Sequence, residues 1–188
     1  MPAEKRQPLW DEFSKLNNRI FSRYKRGLNP GPQMHPREVM KKIEAMVEEL
    51  KKMAHQPSSY ALTTRAKAIQ EDWKKLPAHK PKEANLPARS YQFFMDIIFE
   101  KAFLEKLAQG KYPDFATLSL NDQNQIKSAI LKDLLHRDQG ELDTMQNNSE
   151  NFRVQTPDFE MMMRKKLSGL KRKIDVKNYI LKQLSPRY

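Results

Sequence analysis

Apolar residues recur every three or four positions along most of the chain, the spacing that places them on one face of an α-helix. The clearest stripe, within a helix predicted over residues 9–26, consists of Trp10, Phe13, Leu16, Ile20, Phe21 and Tyr24. Similar stripes predict helices over 36–54, 63–76, 90–110, 120–136 and 156–174, with a short one ending at 184. No segment alternates apolar and polar residues as a β-strand does. The sequence therefore predicts an all-α fold, an irregular domain of about six helices.

Proline, glycine and capping side chains predict where these helices begin and end. Thr156 followed by Pro157 is a strong start for the last helix, since Thr caps helices well and Pro is favoured in the first turn. Ser90 would cap the fourth helix in the same way. Between helices we expect an extended, Pro-containing basic linker over residues 77–89 and a polar, mobile loop over 138–155.

Composition divides the chain into four segments. These are N-terminal helices over 1–76, the basic linker over 77–89, an apolar, acid-leaning helical core with its polar loop over 90–155, and a basic C-terminal helix and tail over 156–188. The helix that begins the third segment is apolar on nearly every side, so neighbouring helices or a partner should bury it. Its one polar strip, at Asp96 and Glu100, is expected to face a basic helix of this protein or of a partner.

Positive charge is concentrated towards the two ends of the chain. The 188 residues include 35 Lys and Arg against 23 Asp and Glu, a net charge of +12. Residues 156–188 hold nine basic and three acidic residues, whereas residues 91–155 hold seven and ten. Such segregation indicates a polyanionic partner whose phosphates the cations would neutralise. The residues expected to bind nucleic acid are Arg164, Lys165, Lys166, Lys171, Arg172 and Lys173 in the last helix, Lys15, Arg19, Arg23 and Arg26 in the first, and Lys80 and Lys82 in the linker.

Several kinds of chemistry have no candidate residues. Cysteine is absent, which excludes disulfides, iron–sulfur clusters and thiol catalysis. No nucleophile elbow, phosphate-binding glycine loop or dinucleotide fingerprint occurs. Asp133 and His136 have the spacing of two metal ligands on a helix, but a carboxylate-bridged metal site needs that motif twice. We therefore expect no catalytic residue, no cofactor and no metal, and a protein that is not an enzyme.

These features favour a non-catalytic, RNA-binding structural subunit of a ribonucleoprotein, in particular a peripheral ribosomal protein such as an organellar one. The basic helices would bind the RNA phosphate backbone, the apolar fourth helix would contact neighbouring protein subunits, and the N-terminal apolar stripe would fill the core. One alternative is a nucleocapsid, nucleoid or viral matrix-type protein that coats nucleic acid or an anionic membrane, with Trp10, Phe13 and Phe21 buried in lipid. Another is a structural subunit of a larger assembly with acidic protein partners.

Nothing in the sequence indicates secretion or membrane insertion. The first residues lack the apolar region of a signal peptide. The most apolar stretch, residues 91–107, contains five charged side chains, which a membrane span would not tolerate. We therefore expect an intracellular protein, in the cytoplasm or the mitochondrial matrix, without a transmembrane helix.

Overall fold

The computed structural model describes residues 3–28, 34–77, 82–151 and 156–185, and their side chains over 10–22, 34–77, 83–148 and 156–185. Within these ranges the chain forms six α-helices and no β-strand. The helices are α1 (Ala3–Leu28), α2 (Pro36–Ala54), α3 (Tyr60–Lys74), α4 (Asn85–Lys111), α5 (Leu120–Asn151) and α6 (Pro157–Leu184). Two 3₁₀ turns, Lys82–Ala84 and Phe115–Thr117, precede α4 and α5. The predicted all-α, multi-helix class is confirmed.

α4 is the central helix, because α2, α3, α5 and α6 all pack against it. Its side chains Ile97 and Leu104 are fully buried, and around them lie Leu50 of α2, Leu131 of α5 and Ile180 of α6. Burying one such side chain contributes about 1.5–3 kcal/mol, so the apolar surface of α4 assembles the other four helices. The apolar residues of α4, which predicted that this helix would be buried, are therefore covered largely by other helices of the same protein.

Two stacked aromatic rings fasten α3 to α4. The ring centroids of Trp73 and Tyr91 are 3.8 Å apart, and the ring planes are 16° from parallel. The Tyr91 hydroxyl is buried and has no hydrogen-bond partner among the described residues. Burial, followed by the charge of Glu71, raises the pKa of this phenol. The ring therefore stabilises the contact between the helices, while its hydroxyl opposes it.

Side-chain caps fix the first residues of α3 and α6. Thr156 Oγ1 accepts the Phe159 backbone N–H at 3.3 Å, which confirms the predicted start of α6. α3 begins at Tyr60, three residues before its apolar stripe predicts. The reason is Ser59, whose Oγ accepts the Leu62 backbone N–H at 3.2 Å and caps the helix there.

The linker expected over residues 77–89 is helical in its second half. Residues 78–81 lie outside the described ranges, but the chain then forms the 3₁₀ turn Lys82–Ala84, and α4 begins at Asn85. This start is five residues earlier than predicted. Pro87 does not prevent it, because the first turn of a helix needs no N–H donor there. Burial of Ala84 against side chains of α2 holds the turn in place.

α5 is longer than predicted, and the mobile loop expected over residues 138–155 is instead helical as far as Asn151. The four residues after it lie outside the described ranges. The helix passes through Gly140, although glycine in a helix interior costs roughly 0.5–1 kcal/mol relative to alanine. Packing along α6 outweighs this cost, and it buries Leu142. α6 likewise continues unbroken past Asp175, where a second helix was predicted to start.

The apolar stripe of α1 is exposed, which contradicts its expected place in the core. The exposed fractions are 62% for Trp10, 56% for Phe13, 52% for Leu16, 61% for Ile20 and 56% for Phe21. The other helices already surround α4, so little core surface is left for α1. The side chain of the sixth member of the stripe, Tyr24, lies outside the described residues. We call the five exposed side chains the α1 apolar face.

Candidate nucleic-acid interface

An open groove runs between the start of α4 and the middle of α6, and it encloses about 1050 Å³. We call it the α4–α6 groove. Its lining includes four cations and one carboxylate: Arg89 from α4, and Arg164, Lys171, Arg172 and Asp175 from α6. Asn85, Gln92 and Ser168 add uncharged hydrogen-bonding groups, and Phe93 and Leu167 add apolar surface. The groove therefore combines an excess of positive charge with neutral donors.

Helical geometry explains why these α6 cations share one wall. Arg164 precedes Lys171 by seven residues and Arg172 by eight, which is about two turns of an α-helix, so their side chains return to the same face. Lys165, Lys166 and Lys173 are exposed but do not line the groove. The six cations predicted on this helix therefore belong to two surfaces, one inside the groove and one beside it.

Arg89 is the groove cation that the sequence prediction did not include. It lies in the segment expected to be an extended linker, whereas the structure places it in the second turn of α4, opposite α6. Ala84, which precedes the helix, makes no side-chain cap. The N-terminal end of α4 therefore adds the partial positive charge of its first backbone N–H groups near Arg89.

Part of the positive charge in the groove is balanced by carboxylates of the same chain. Arg172 Nε donates to Asp96 Oδ2 at 2.7 Å, and Arg164 Nη2 donates to Glu160 Oε2 at 3.3 Å. The Arg164 side chain is nevertheless 81% exposed, so its pair with Glu160 is weak and easily exchanged for a phosphate. Among the described residues, Lys171 takes part in no ion pair. The groove thus keeps free positive charge after its internal pairs are counted.

The polar strip of α4 faces a basic helix of this protein, α6, which was one of the two expected possibilities. Asp96 pairs with Arg172, and one turn further along Glu100 Oε1 lies 3.1 Å from Lys177 Nζ. Lys177 Nζ also donates to Asp138 Oδ2 of α5 at 2.8 Å, and its side chain is only 7% exposed. Burial alone would lower the pKa of Lys177, but hydrogen bonds and charges from Asp138 and Glu100 outweigh it and raise that pKa. Lys177 is therefore an internal cation that no external ligand reaches.

The remaining predicted nucleic-acid-binding residues lie elsewhere. Lys15 and Arg19 are exposed on α1, and the described side chains of α1 do not line the groove. Arg23 and Arg26 belong to α1, but their side chains are outside the described residues, as is the Lys82 side chain. Lys80 lies outside the described ranges altogether. The structure therefore brings three of the six predicted cations of α6 together in the groove and does not join them to the described cations of α1.

The described residues form no group of side chains that could hold a metal ion. A metal site requires at least three His, Asp or Glu side chains close together, and no such group occurs among the described residues. Asp133 and His136 both lie on α5, and no third ligand joins them there. His55 is held by two hydrogen bonds, one with the Lys51 carbonyl oxygen at 2.7 Å and one with the Tyr179 hydroxyl at 3.0 Å. No described helix combines the length and the apolarity needed to cross a bilayer.

Comparison of the chain with protein-family models, with curated proteins and with solved structures finds no match. The function is therefore inferred from the groove itself. Its lining carries guanidinium groups from both helices and an ammonium group from α6, and guanidinium groups bind phosphate oxygens through two parallel hydrogen bonds. Such groups can pair with phosphate oxygens by charge and position, which does not require reading of base edges.

Proposed function

We propose that this protein is a non-catalytic RNA-binding subunit that holds a stretch of phosphate backbone in the α4–α6 groove. The observation that carries the proposal is the convergence of Arg89 with Arg164, Lys171 and Arg172 from the facing helix. Cations that are brought together from separate helices repel one another, and a bound polyanion relieves that repulsion. The exposed Lys165, Lys166 and Lys173 extend the positive surface beyond the groove.

RNA fits this site better than duplex DNA for a geometric reason. A cleft with cations on two walls accommodates one backbone strand, and looped or single-stranded RNA presents its strands singly. Cations outnumber the uncharged hydrogen-bonding side chains of the groove, and one of the latter, Gln92, is already bonded to Asp96, so the binding is expected to depend on salt more than on sequence. We place such a protein at the periphery of a ribonucleoprotein, with an organellar ribosome as the specific assembly.

The test compares a groove variant with a matched variant elsewhere. In the groove variant, Arg89, Arg164 and Lys171 are changed to Gln. In the control, Lys41, Lys51 and Lys52, which are exposed on α2, undergo the same change. Fluorescence anisotropy with a labelled RNA stem-loop, repeated over a salt series, gives the affinity and its salt slope for each protein.

We expect the groove variant to bind at least ten-fold more weakly, with a salt slope reduced by about 2, since each phosphate contact contributes about 0.7 on single strands. The control should lose much less, because it removes the same total charge from a different surface. Equal losses in both variants, or no loss in the groove variant, would exclude the groove as the RNA site. Circular dichroism establishes that both variants keep their helices.

The α1 apolar face supports a second candidate function, attachment to an anionic membrane. Large apolar side chains on one face and Lys15 and Arg19 on the rest of the helix are typical of helices that lie in the lipid interface. Changing Phe13 and Phe21 to Ser should abolish co-sedimentation with phosphatidylserine vesicles, whereas Tyr60→Ser, at an 88% exposed aromatic on α3, should not. Absence of vesicle binding in the unmodified protein would eliminate this candidate. Equal affinity for RNA, duplex DNA and vesicles would favour a coat protein.

A further inference from the structure

A second cavity, of about 550 Å³, lies between the α2–α3 connection, the middle of α4, the start of α5 and the end of α6. We call it the Lys101 cavity. It shares no lining residue with the α4–α6 groove, so a ligand bound in it would be independent of the proposed RNA site. Its apolar wall includes Leu104, Leu120, Ile180 and Leu184. Both the volume and the mixed lining fall within the range of sites that bind small molecules.

The side-chain amide of Gln183 is the first sign that this cavity has a ligand. Its Nε2 and Oε1 atoms are both buried, and neither has a hydrogen-bond partner among the described residues. Leaving a buried polar group without a partner costs about 1–3 kcal/mol. If the amide turns towards the cavity, a ligand that offers a hydrogen-bonding group at this wall recovers that cost on binding.

The charges in the cavity are the second sign. Lys101 Nζ donates to the backbone oxygens of Ala54 at 2.7 Å and Gln56 at 3.1 Å, which leaves one of its three N–H groups unused. Glu105, the carboxylate in the cavity wall, is instead paired with Lys127 at 2.5 Å. Burial, and then repulsion from Lys127, lower the pKa of Lys101 to about 8. The cavity therefore has a partly buried ammonium group without a carboxylate partner among the described residues.

The wall that carries these groups is held in place by the rest of the fold. The hydrogen bond between Tyr179 and His55 joins the end of α2 to α6 beside the cavity. Lys101 itself ties α4 to the backbone at the end of α2 and just beyond it. The polar groups are thus preorganised, which reduces the entropy that a ligand must lose to bind them.

We propose that the Lys101 cavity binds a small amphiphilic carboxylate, whose charged group pairs with Lys101 and whose apolar body lies along Leu104, Ile180 and Leu184. The Gln183 amide supplies a further hydrogen bond to the polar end of the ligand. Such a ligand provides a negative charge for Lys101, since the carboxylate of the lining, Glu105, is paired with Lys127. It also covers apolar side chains that otherwise line an open cavity.

The experiment titrates the full chain with octanoate at neutral pH and follows the methyl resonances of Leu and Ile by NMR. Octanol and octylammonium serve as probes of the same length without the negative charge. We expect saturable shifts at Leu104, Ile180 and Leu184 with octanoate, and at least ten-fold weaker binding of the other two probes. Absence of saturable octanoate binding, or equal binding of all three probes, would overturn the proposal.

Two variants test the assignment of the charged partner. Lys101→Met keeps the length of the side chain without its charge, and Lys106→Met makes the same change at an exposed position of α4 outside the cavity. Octanoate binding should weaken at least ten-fold in the first and stay within two-fold in the second. If Lys101→Met keeps its helical circular dichroism and binds octanoate normally, the proposal fails. Gln183→Leu, which should also weaken binding, gives an independent check if Lys101→Met does not fold.

Discussion

The Nε atom of Arg172 lies 2.7 Å from Oδ2 of Asp96, so a carboxylate outside the groove lining competes with phosphate for one of the groove cations. The pair joins α6 to α4 and is partly exposed, with side-chain exposures of 45% for Arg172 and 31% for Asp96. Gln92 Nε2 also donates to Asp96, at 2.8 Å, and helps to orient it. The pair positions the guanidinium group and at the same time reduces the net charge offered to RNA.

Asp96→Asn should therefore strengthen RNA binding two- to five-fold while lowering the free energy of unfolding by roughly 0–1 kcal/mol. The amide oxygen still accepts from Arg172, but the competing charge is gone. Anisotropy titrations with the RNA stem-loop and urea denaturation measure the two effects. Glu44→Gln on α2, which removes one negative charge outside the groove, is the control. A weaker affinity in Asp96→Asn would mean that the pair, and not the free cation, is what RNA requires.

Lys177 is expected to be the charged residue whose loss destabilises the fold most. Lys177→Met leaves Glu100 and Asp138 without their shared cation, and breaking a buried ion pair in this way typically costs about 3–5 kcal/mol. Neutralising all three positions together, with Glu100→Gln and Asp138→Asn added, should recover most of that loss. Urea denaturation measures the free energy of unfolding of each variant. A loss of less than about 1 kcal/mol in Lys177→Met would show that water solvates both carboxylates well enough to replace the lysine.

Tyr91→Phe should stabilise the protein, by about 1 kcal/mol. The change keeps the ring that stacks on Trp73 and removes a buried hydroxyl that has no hydrogen-bond partner among the described residues. Tyr179→Phe is the matched control, because its hydroxyl is bonded to His55 and its removal should cost about 1 kcal/mol. Thermal and urea unfolding compare the two variants. A clear loss of stability in Tyr91→Phe would show that its hydroxyl is satisfied in solution.

The lowered pKa of Lys101 predicts a specific dependence of stability on pH. The folded protein releases this proton near pH 8, whereas the unfolded chain holds it up to about the ordinary value of 10.5. Between these values the unfolded state binds more protons, so this residue makes stability rise as the pH increases. Lys177 acts in the opposite sense: its raised pKa contributes stability that is complete below 10.5 and is lost above it.

Comparing the protein with Lys101→Met isolates this contribution. We subtract the free energy of unfolding of Lys101→Met from that of the unmodified protein. This difference should increase as the pH rises from 8 to 10.5. Loss of the hydrogen bonds from Lys101 to backbone oxygens adds a contribution to this difference that does not vary with pH. Urea denaturation at half-unit pH steps is the measurement. A difference that stays flat across this window would show that Lys101 titrates as an exposed lysine.

Local signals predicted the starts of α2 and α6 correctly, although the equally local Ser59 cap of α3 was missed. Thr156 caps α6 where expected, because a side-chain oxygen within three residues satisfies the exposed N–H groups. The ends that depend on distant residues were predicted wrongly. α5 passes through Gly140 because α6, brought alongside it by the fold, buries Leu142 further along, and no local pattern contains that information.

The residues of the candidate site also fall into those that local sequence predicts and those that depend on distant parts of the chain. Helical periodicity alone placed Arg164, Lys165, Lys171 and Arg172 on one face of α6, and all of these except Lys165 line the groove. It did not include Arg89, because the prolines around it indicated an extended linker. Lys173 was expected to bind nucleic acid, whereas Lys177, one turn further along the same helix, was given no role. What separates those two lysines is the proximity of Asp138 and Glu100, which are 39 and 77 residues away in sequence and reach Lys177 only in the folded chain.

The convergence of three helices on Lys177 also makes the attachment of α6 depend on charge. Glu100 of α4 and Asp138 of α5 share the ammonium group that α6 brings to them. If α6 is displaced, both carboxylates lose that cation while they remain beside apolar surface. Detachment of α6 is therefore opposed electrostatically as well as by the exposure of apolar side chains.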